Sequence, residues 1–387
     1  MLSYKILKRE MKNIQKLQAS SIFILITCVG LFAQENQTTF TVANEQNISR
    51  IHETVSIDLS KTNFTSNVGV TDDKNNSIVS QLIDNDGDDK FDELIFQDDF
   101  KGNETKTYHL KKSDKKEQTE SKVYATVVEG REDIAWESDK IAFRMYGPPL
   151  AKEVDNGIDV WVKSVDYLIV DKWYREEEEG IKSYHVDGGE GADFFSVGRS
   201  LGAGGSAITL NDSLFQSGVY KSYKILANGP IRTMFKLNYE FDVNGKKITE
   251  EKTIQLDAGS YINKIMTRYS TVPDDAKFVA GLVKRGNTSV STDFDNSIIS
   301  LWGDISNKKS DGELGTAVIL PYGNNLEIIE DSTHILLLSS LNDKPMIYYA
   351  GADWTKREDF ASEKDWLNYV KDTSLKIRNP LNVKIVK

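Results

Sequence analysis

Thr233-Met234-Phe235-Lys236-Leu237-Asn238-Tyr239-Glu240-Phe241-Asp242-Val243, followed by Asn244-Gly245 and the return segment 247–256, decides the fold. Phe235, Leu237, Tyr239, Phe241 and Val243 recur every second residue, and Lys236, Asn238, Glu240 and Asp242 fill the gaps. Period-two alternation gives a strand one apolar face, and Asn-Gly suits a two-residue hairpin turn. Outward from this hairpin the same alternation appears at 54–59, 122–128, 166–174, 298–302 and 334–338. Ile141, Phe143 and Met145 alternate with Ala142, Arg144 and Tyr146. A single helix is expected near Ser362–Val370, where Ser362 and Asp365 resemble a capping box and Trp366, Leu367 and Val370 form an apolar stripe. The charged stretch 111–122 reads as a boundary. The expectation is an all-β protein with a small N-terminal β module over 36–115 and a large β-sandwich over 120–387.

The first residues read as a signal peptide. Lys5, Lys8, Arg9, Lys12 and Lys16 precede an apolar run from Ile22 to Phe32, and Ala33 stands before Gln34-Glu35-Asn36. Export with loss of 1–33 is expected, with Met11 as an alternative start and a lipid on Cys28 as the rival reading. Cys28 is the only cysteine of the 387 residues, so cleavage leaves no thiol for a disulfide, a zinc site or a nucleophile. A formal net charge of −11 argues against nucleic-acid binding, and no second apolar stretch reaches membrane-spanning length.

Three motifs could carry chemistry. The run 84–93 alternates carboxylates like a calcium loop, yet glycine falls at its fourth position, its twelfth is Ile95, and no helices flank it; a solvated turn is expected, and no metal or other cofactor is assigned. Ser200-Leu201-Gly202-Ala203-Gly204-Gly205-Ser206 lacks the ending of a phosphate loop and reads as a bulge where chains approach closely. The richest stretch is Tyr184-His185-Val186-Asp187-Gly188-Gly189, leading through Glu190 and Asp193 to Arg199. Strand alternation would place His185 and Asp187 on one face, a proton shuttle beside a carboxylate. Arg144 and Tyr146 would look outward from the apolar face of their strand, and Lys172 and Tyr174 would share another face. Of four histidines, His334 is the second candidate. Some of the six tryptophans could stack on sugar rings.

Together, Trp136-Glu137-Ser138-Asp139-Lys140-Ile141-Ala142-Phe143-Arg144, Tyr184–Gly189, Ser200–Gly205 and Gly229-Pro230-Ile231-Arg232 resemble a bacterial domain family long catalogued as of unknown function (DUF4861-like), covering the chain from about residue 40 to its end. That family occurs in polysaccharide-utilisation loci and includes an ulvan oligosaccharide dehydratase of marine bacteria. The resemblance implies a galactose-mutarotase-like antiparallel β-supersandwich. It also implies elimination of water from the terminal uronic acid of an ulvan oligosaccharide, giving a 4,5-unsaturated sugar.

Such an elimination needs a cation for the carboxylate, a base for the C5 proton and an acid for the departing C4 hydroxyl. The residues assigned are Arg144 for the carboxylate, His185 as base, and Tyr146 or Tyr184 as acid, with Tyr146 preferred because alternation sets Tyr184 opposite His185. Lys172, Asp187, Arg199 and His334 are expected to bind substrate. Three rivals stand beside this reading: a polysaccharide lyase, a non-catalytic carbohydrate-binding or surface-assembly protein, and a mutarotase-like epimerase.

Overall fold

A computed structural model describes residues 37–113, 119–342 and 344–386. The expected leader, with Cys28, lies outside the described residues. The deciding hairpin forms as read. Arg232–Val243 pairs with Lys246–Asp257, Val243 lies opposite Lys246, and both turn residues take positive φ, 53° at Asn244 and 85° at Gly245. That is the twist a two-residue hairpin requires, and only glycine and asparagine adopt it cheaply.

The hairpin sits inside an eight-stranded antiparallel sheet. Its order is Ser222–Asn228, Arg232–Val243, Lys246–Asp257, Ile262–Tyr269, Met346–Trp354, Glu313–Ile319, Ile298–Asp304 and Thr288–Asp293. Phe235, Leu237 and Tyr239 enter the main core from its inner face. Two five-stranded sheets close that core. One, built around Ala203–Leu210, Lys277–Val283 and His334–Ser340, contributes Phe278, Leu282, Ile335 and Leu337. The other runs Gly191–Ala192, Asp159–Lys163, Ala142–Met145, Ile134–Ser138 and Val123–Val127, and contributes Trp136, Phe143, Val160 and Val162. The result is an antiparallel β-supersandwich, each buried large apolar side chain adding roughly 1.5–3 kcal/mol.

The N-terminal module has its own core of Phe40, Phe96, Tyr108 and Leu110, with Phe40 stacked on Tyr108 at 5.5 Å. It holds a three-stranded sheet, Arg50–Asp58, Glu93–Phe100 and Ser80–Ile83, and a five-stranded one. The five-stranded sheet has a member from the far end of the chain: Asn382–Val386 pairs antiparallel with Gln37–Ala43, Val386 opposite Thr39. A strand from the segment read as 120–387 thus joins the sheet of the segment read as 36–115. Gln81 joins module to sandwich, its amide oxygen accepting from the N–H groups of Ile231 and Arg232 at 2.9 and 2.8 Å.

Among the described residues there are two α-helices, not one. The expected helix forms as Glu363–Arg378, with the Ser362 hydroxyl accepting from the Asp365 N–H at 3.3 Å and Trp366, Val370 and Ser374 buried. The other helix, Val170–Glu178 (α1; Glu363–Arg378 is then α2), replaces the strand read at 166–174. Val170 and Tyr174 fit both periods over so short a span, but Trp173 fits only the helical one; spaced i, i+3, i+4, the three form the buried helical face. What selects the helix is a distant acid. The Glu137 carboxylate accepts from the N–H groups of Ile169 and Val170 at 2.8 Å each, satisfying orphan donors of the first turn. Lys163 Nζ, 2.8 Å from Glu137, completes a fully buried ion pair.

The glycine-rich stretch 200–206 is the bulge it was read to be. Register shifts between Ala203 and Ser206, and Gly204, at φ 115°, passes so close to the sheet that a Cβ would stand 2.2 Å from the Ala350 Cβ. No described helix is long and apolar enough to cross a membrane.

Candidate active site

The outer face of the Ala142–Met145 sheet carries the polar cluster. Arg144 lies opposite Asp159 in the ladder, and both point away from the main core, beside Trp161. The face is as expected, but it is not open. Arg144 is only 5% exposed, because α1 and the loop 180–193 roof it. Its Nε and Nη2 donate to Asp159 Oδ2 at 3.0 and 2.7 Å, and Nη2 also reaches Asp193 Oδ2 at 2.8 Å and the Tyr146 hydroxyl at 3.1 Å. The guanidinium lies over the rings of Tyr146 and Trp161, 4.7 and 5.0 Å from their centroids. Its donors are thus largely consumed within the protein, which removes it as a bidentate clamp for a substrate carboxylate.

One guanidinium faces two buried acids. Burial, then the facing Asp159 charge, push the Asp193 carboxyl well above its ordinary range, and burial raises Asp159 against the pull of Arg144. Charge balance is reached when the pair keeps one proton. Burial also raises Tyr146, which therefore stays a neutral phenol.

The loop after α1 brings the sequence motif onto this cluster, though not as a strand. Asp193 N–H donates to the Tyr184 carbonyl at 2.8 Å, and Asp187 Oδ1 accepts from Gly189 and Gly191 at 2.8 and 3.0 Å, closing a turn. Asp187 therefore shapes the loop and does not orient His185. The partner of His185 is Asp193: its Nδ1 is 3.2 Å from the Asp193 carbonyl and 3.5 Å from Asp193 Oδ2, while the side chain is 56% exposed. With Nδ1 turned inward, Nε2 faces solvent. Because the loop is not a strand, Tyr184 is not opposite His185; their ring centroids are 4.5 Å apart. The Tyr184 ring stacks on Trp161 at 4.6 Å, and its hydroxyl accepts from Arg131 and stands 3.5 Å from Arg144 Nη1.

Arg131 was not singled out in the sequence. Its guanidinium lies over Tyr174 and Tyr184 and has no carboxylate partner among the described residues. Nothing in its local context, Gly130-Arg131-Glu132, marked it. Asp159 was more legible: an acid inside the apolar string Ile158 to Val162 must be buried and paired.

The remaining expected contacts lie elsewhere. Lys172, on α1, binds Glu190 together with Tyr167 and Trp173; against the effect of burial, these donors hold Glu190 at about 2. Arg199 pairs at the surface with Asp155 and the Lys152 carbonyl. His334 is buried, its Nε2 accepting from the Leu201 N–H at 3.2 Å, so it anchors the glycine-rich bulge. All six tryptophans are buried, which leaves the half-exposed Tyr167 as the open ring near the loop. Asp84, Asp86 and Asp88 place oxygens within 4.8 Å of one another, but Asp84 already accepts from the N–H groups of Gly87, Asp88 and Asp89 and so organises the turn.

The family described as "Domain of unknown function (DUF4861)" matches residues 42–383. The chain belongs to this family. It is also similar to "Uncharacterized protein P7" of Formosa agariphila, 33% identical over 373 residues that cover 89% of this chain and 92% of that protein. Among solved structures, an α-mannosidase from Enterococcus faecalis V583 superposes with a TM-score of 0.51 at 8% identity over 91% of this chain and 46% of its own. A protein in glycosyl hydrolase family 38 from the same species gives 0.51 at 8%, covering 92% and 48%. The chain spans just under half of each of these two. DUF4861 thus shares its fold with carbohydrate-active proteins.

Proposed function

We propose that this DUF4861 chain is an exported carbohydrate-active lyase, an oligosaccharide dehydratase that removes water from the terminal uronic acid of ulvan-type oligosaccharides. The observation that carries the reading is the solvent-facing Nε2 of His185, whose other nitrogen is turned onto Asp193 beside Tyr184 and Arg131. In this scheme Nε2 takes the C5 proton. Its electron pair forms the C4=C5 double bond, the C4–O bond breaks, and the leaving hydroxyl takes the Tyr184 proton and departs as water. Tyr184 is preferred to Tyr146 because the Tyr146 hydroxyl already donates to Asp159 Oδ2 at 3.3 Å, whereas the Tyr184 oxygen accepts from Arg131 and its own proton is not committed to a carboxylate. Arg131 replaces Arg144 as the cation for the substrate carboxylate, and Arg144 holds Asp159, Asp193 and Tyr146 in place.

The test is incubation with defined uronic-acid oligosaccharides, read by the ultraviolet absorbance of the conjugated product and by its mass. The proposal expects one product lighter by one water. Two fragments would convert the assignment to a polysaccharide lyase, which uses the same three roles with a glycosidic oxygen leaving. Binding without conversion, unaffected by His185→Ala, would make the protein a carbohydrate-binding module.

A further inference from the structure

The 460 Å³ cavity beside the N-terminal module contains none of the cluster residues. It lies between strand Arg50–Asp58, the outer face of the eight-stranded sheet and the C-terminal turns of α2. Its floor is one row of the sheet: Gln255 is opposite Lys264, and Lys264 is opposite Tyr349. Neighbouring strands are about 4.8 Å apart, so these three side chains stand side by side on one face.

Lys264 is the unusual member. It lies mid-strand and half-buried, and its ammonium makes no hydrogen bond or ion pair among the described residues, nor does the Tyr349 hydroxyl make a hydrogen bond among them. The acids lining the cavity are already taken. Asp257 holds Arg232 at 2.7 Å, and Glu53 holds Arg50 at 2.9 Å. Lys376, on α2, lines the same space, also without an ion pair among the described residues. A chain with net charge −11 therefore keeps in one cavity two ammonium groups that form no ion pair among the described residues. Burial, reinforced by the charge of Arg232, lowers the Lys264 pKa from its ordinary value, the mark of a cation held where its charge is unfavourable. A half-buried, unpaired lysine lowers stability, and an apolar residue of similar length would fit the site better.

We propose that this cavity is a second binding site, in which Lys264, Tyr349 and Gln255 receive the anionic group, sulfate ester or carboxylate, of a saccharide unit. The ammonium and phenol supply charge-assisted donors, and the Gln255 amide, whose oxygen accepts from Arg232 Nη2 at 2.8 Å, keeps its NH2 group for a ring hydroxyl. Ile262 and Ile377 give the wall an apolar surface suited to the C–H face of a sugar. The volume falls in the range of about 300–1,000 Å³ usual for small-molecule sites. This inference does not depend on the chemistry proposed for His185.

Titration calorimetry of the full chain with glucuronic acid, a monosulfated monosaccharide, its uncharged parent and inorganic sulfate tests it. The charged sugars should bind at least tenfold more tightly than the uncharged parent; whichever of the two binds better identifies the group. Lys264→Met should lose that binding by tenfold or more while melting at a higher temperature. Tyr349→Phe, which keeps the packing, should weaken it several-fold. Unaltered binding in both Lys264→Met and Tyr349→Phe would overturn the proposal. So would absence of any preference for the charged sugars, or inorganic sulfate binding as tightly as the sulfated sugar.

Discussion

At the residue scale, the two histidine-motif neighbours separate by their surroundings. His185 is half-exposed and lies outside the buried clusters, touching Tyr184 and Asp193 from the solvent side, so His185→Ala should change the melting temperature little while lowering turnover on a uronic-acid oligosaccharide by about a hundredfold or more, the usual scale for loss of a general base. A folded variant with normal turnover would remove it as the base. Arg144 should behave in the opposite way. Arg144→Ala strands Asp159 and Asp193 without their cation, and breaking such a buried pair costs about 3–5 kcal/mol, visible as a lowered urea midpoint before any activity is measured. Asp353 gives a pH dependence of known sign. Both its oxygens are buried without a partner, and burial pushes its carboxyl up to about 8. Between the unfolded value near 3.8 and about 8 the folded chain holds a proton that the unfolded chain releases, so stability falls as pH rises across that window. Asp353→Asn should therefore show little difference from the parent near pH 4 and a progressively higher melting temperature toward pH 9. A constant gap at all pH values would contradict this. Arg144 and His185 stood out in the sequence because their type is unusual for their place. Arg131 did not, because an arginine after a glycine turn carries no local signal, and its proximity to Tyr174 and Tyr184 arises only in the fold.

At the element scale, alternation identified the strands because each long strand has one face in the core, and a one-residue error would bury lysines and glutamates. It failed over 166–174 because the two periods coincide at Val170 and Tyr174 and because the deciding hydrogen bonds come from Glu137, far away in sequence. Glu137 is correspondingly the hinge between motif and site. Glu137→Gln keeps an acceptor for one helix N–H but leaves Lys163 buried with an uncharged partner. The expected result is a loss of several kcal/mol of stability, on the scale of a broken buried pair, with faster amide exchange in α1. Exchange in α1 equal to that of the parent would show that the helix does not depend on this carboxylate. The metal question also belongs at this scale. The Asp84–Asp88 turn is closed by its own backbone donors, so chelator treatment should leave turnover within about twofold; a hundredfold or greater loss restored by calcium at unchanged folding would reject that, since loss of a needed catalytic group is usually on that scale.

At the scale of the whole molecule, the supersandwich was readable as a class, while its closure was not. Strand partners distant in sequence leave no mark in local composition, and so the pairing of Asn382–Val386 with Gln37–Ala43 was not legible there. This pairing has a consequence in time. The N-terminal strands leave the ribosome, and pass any export channel, hundreds of residues before their last partner exists. Until then the Gln37–Ala43 edge stands open, as an unpaired template for another chain. The order of appearance thus makes the first-made unit of this protein the last to be completed, and gives the nascent chain its greatest need for a holding chaperone before its last strand is made.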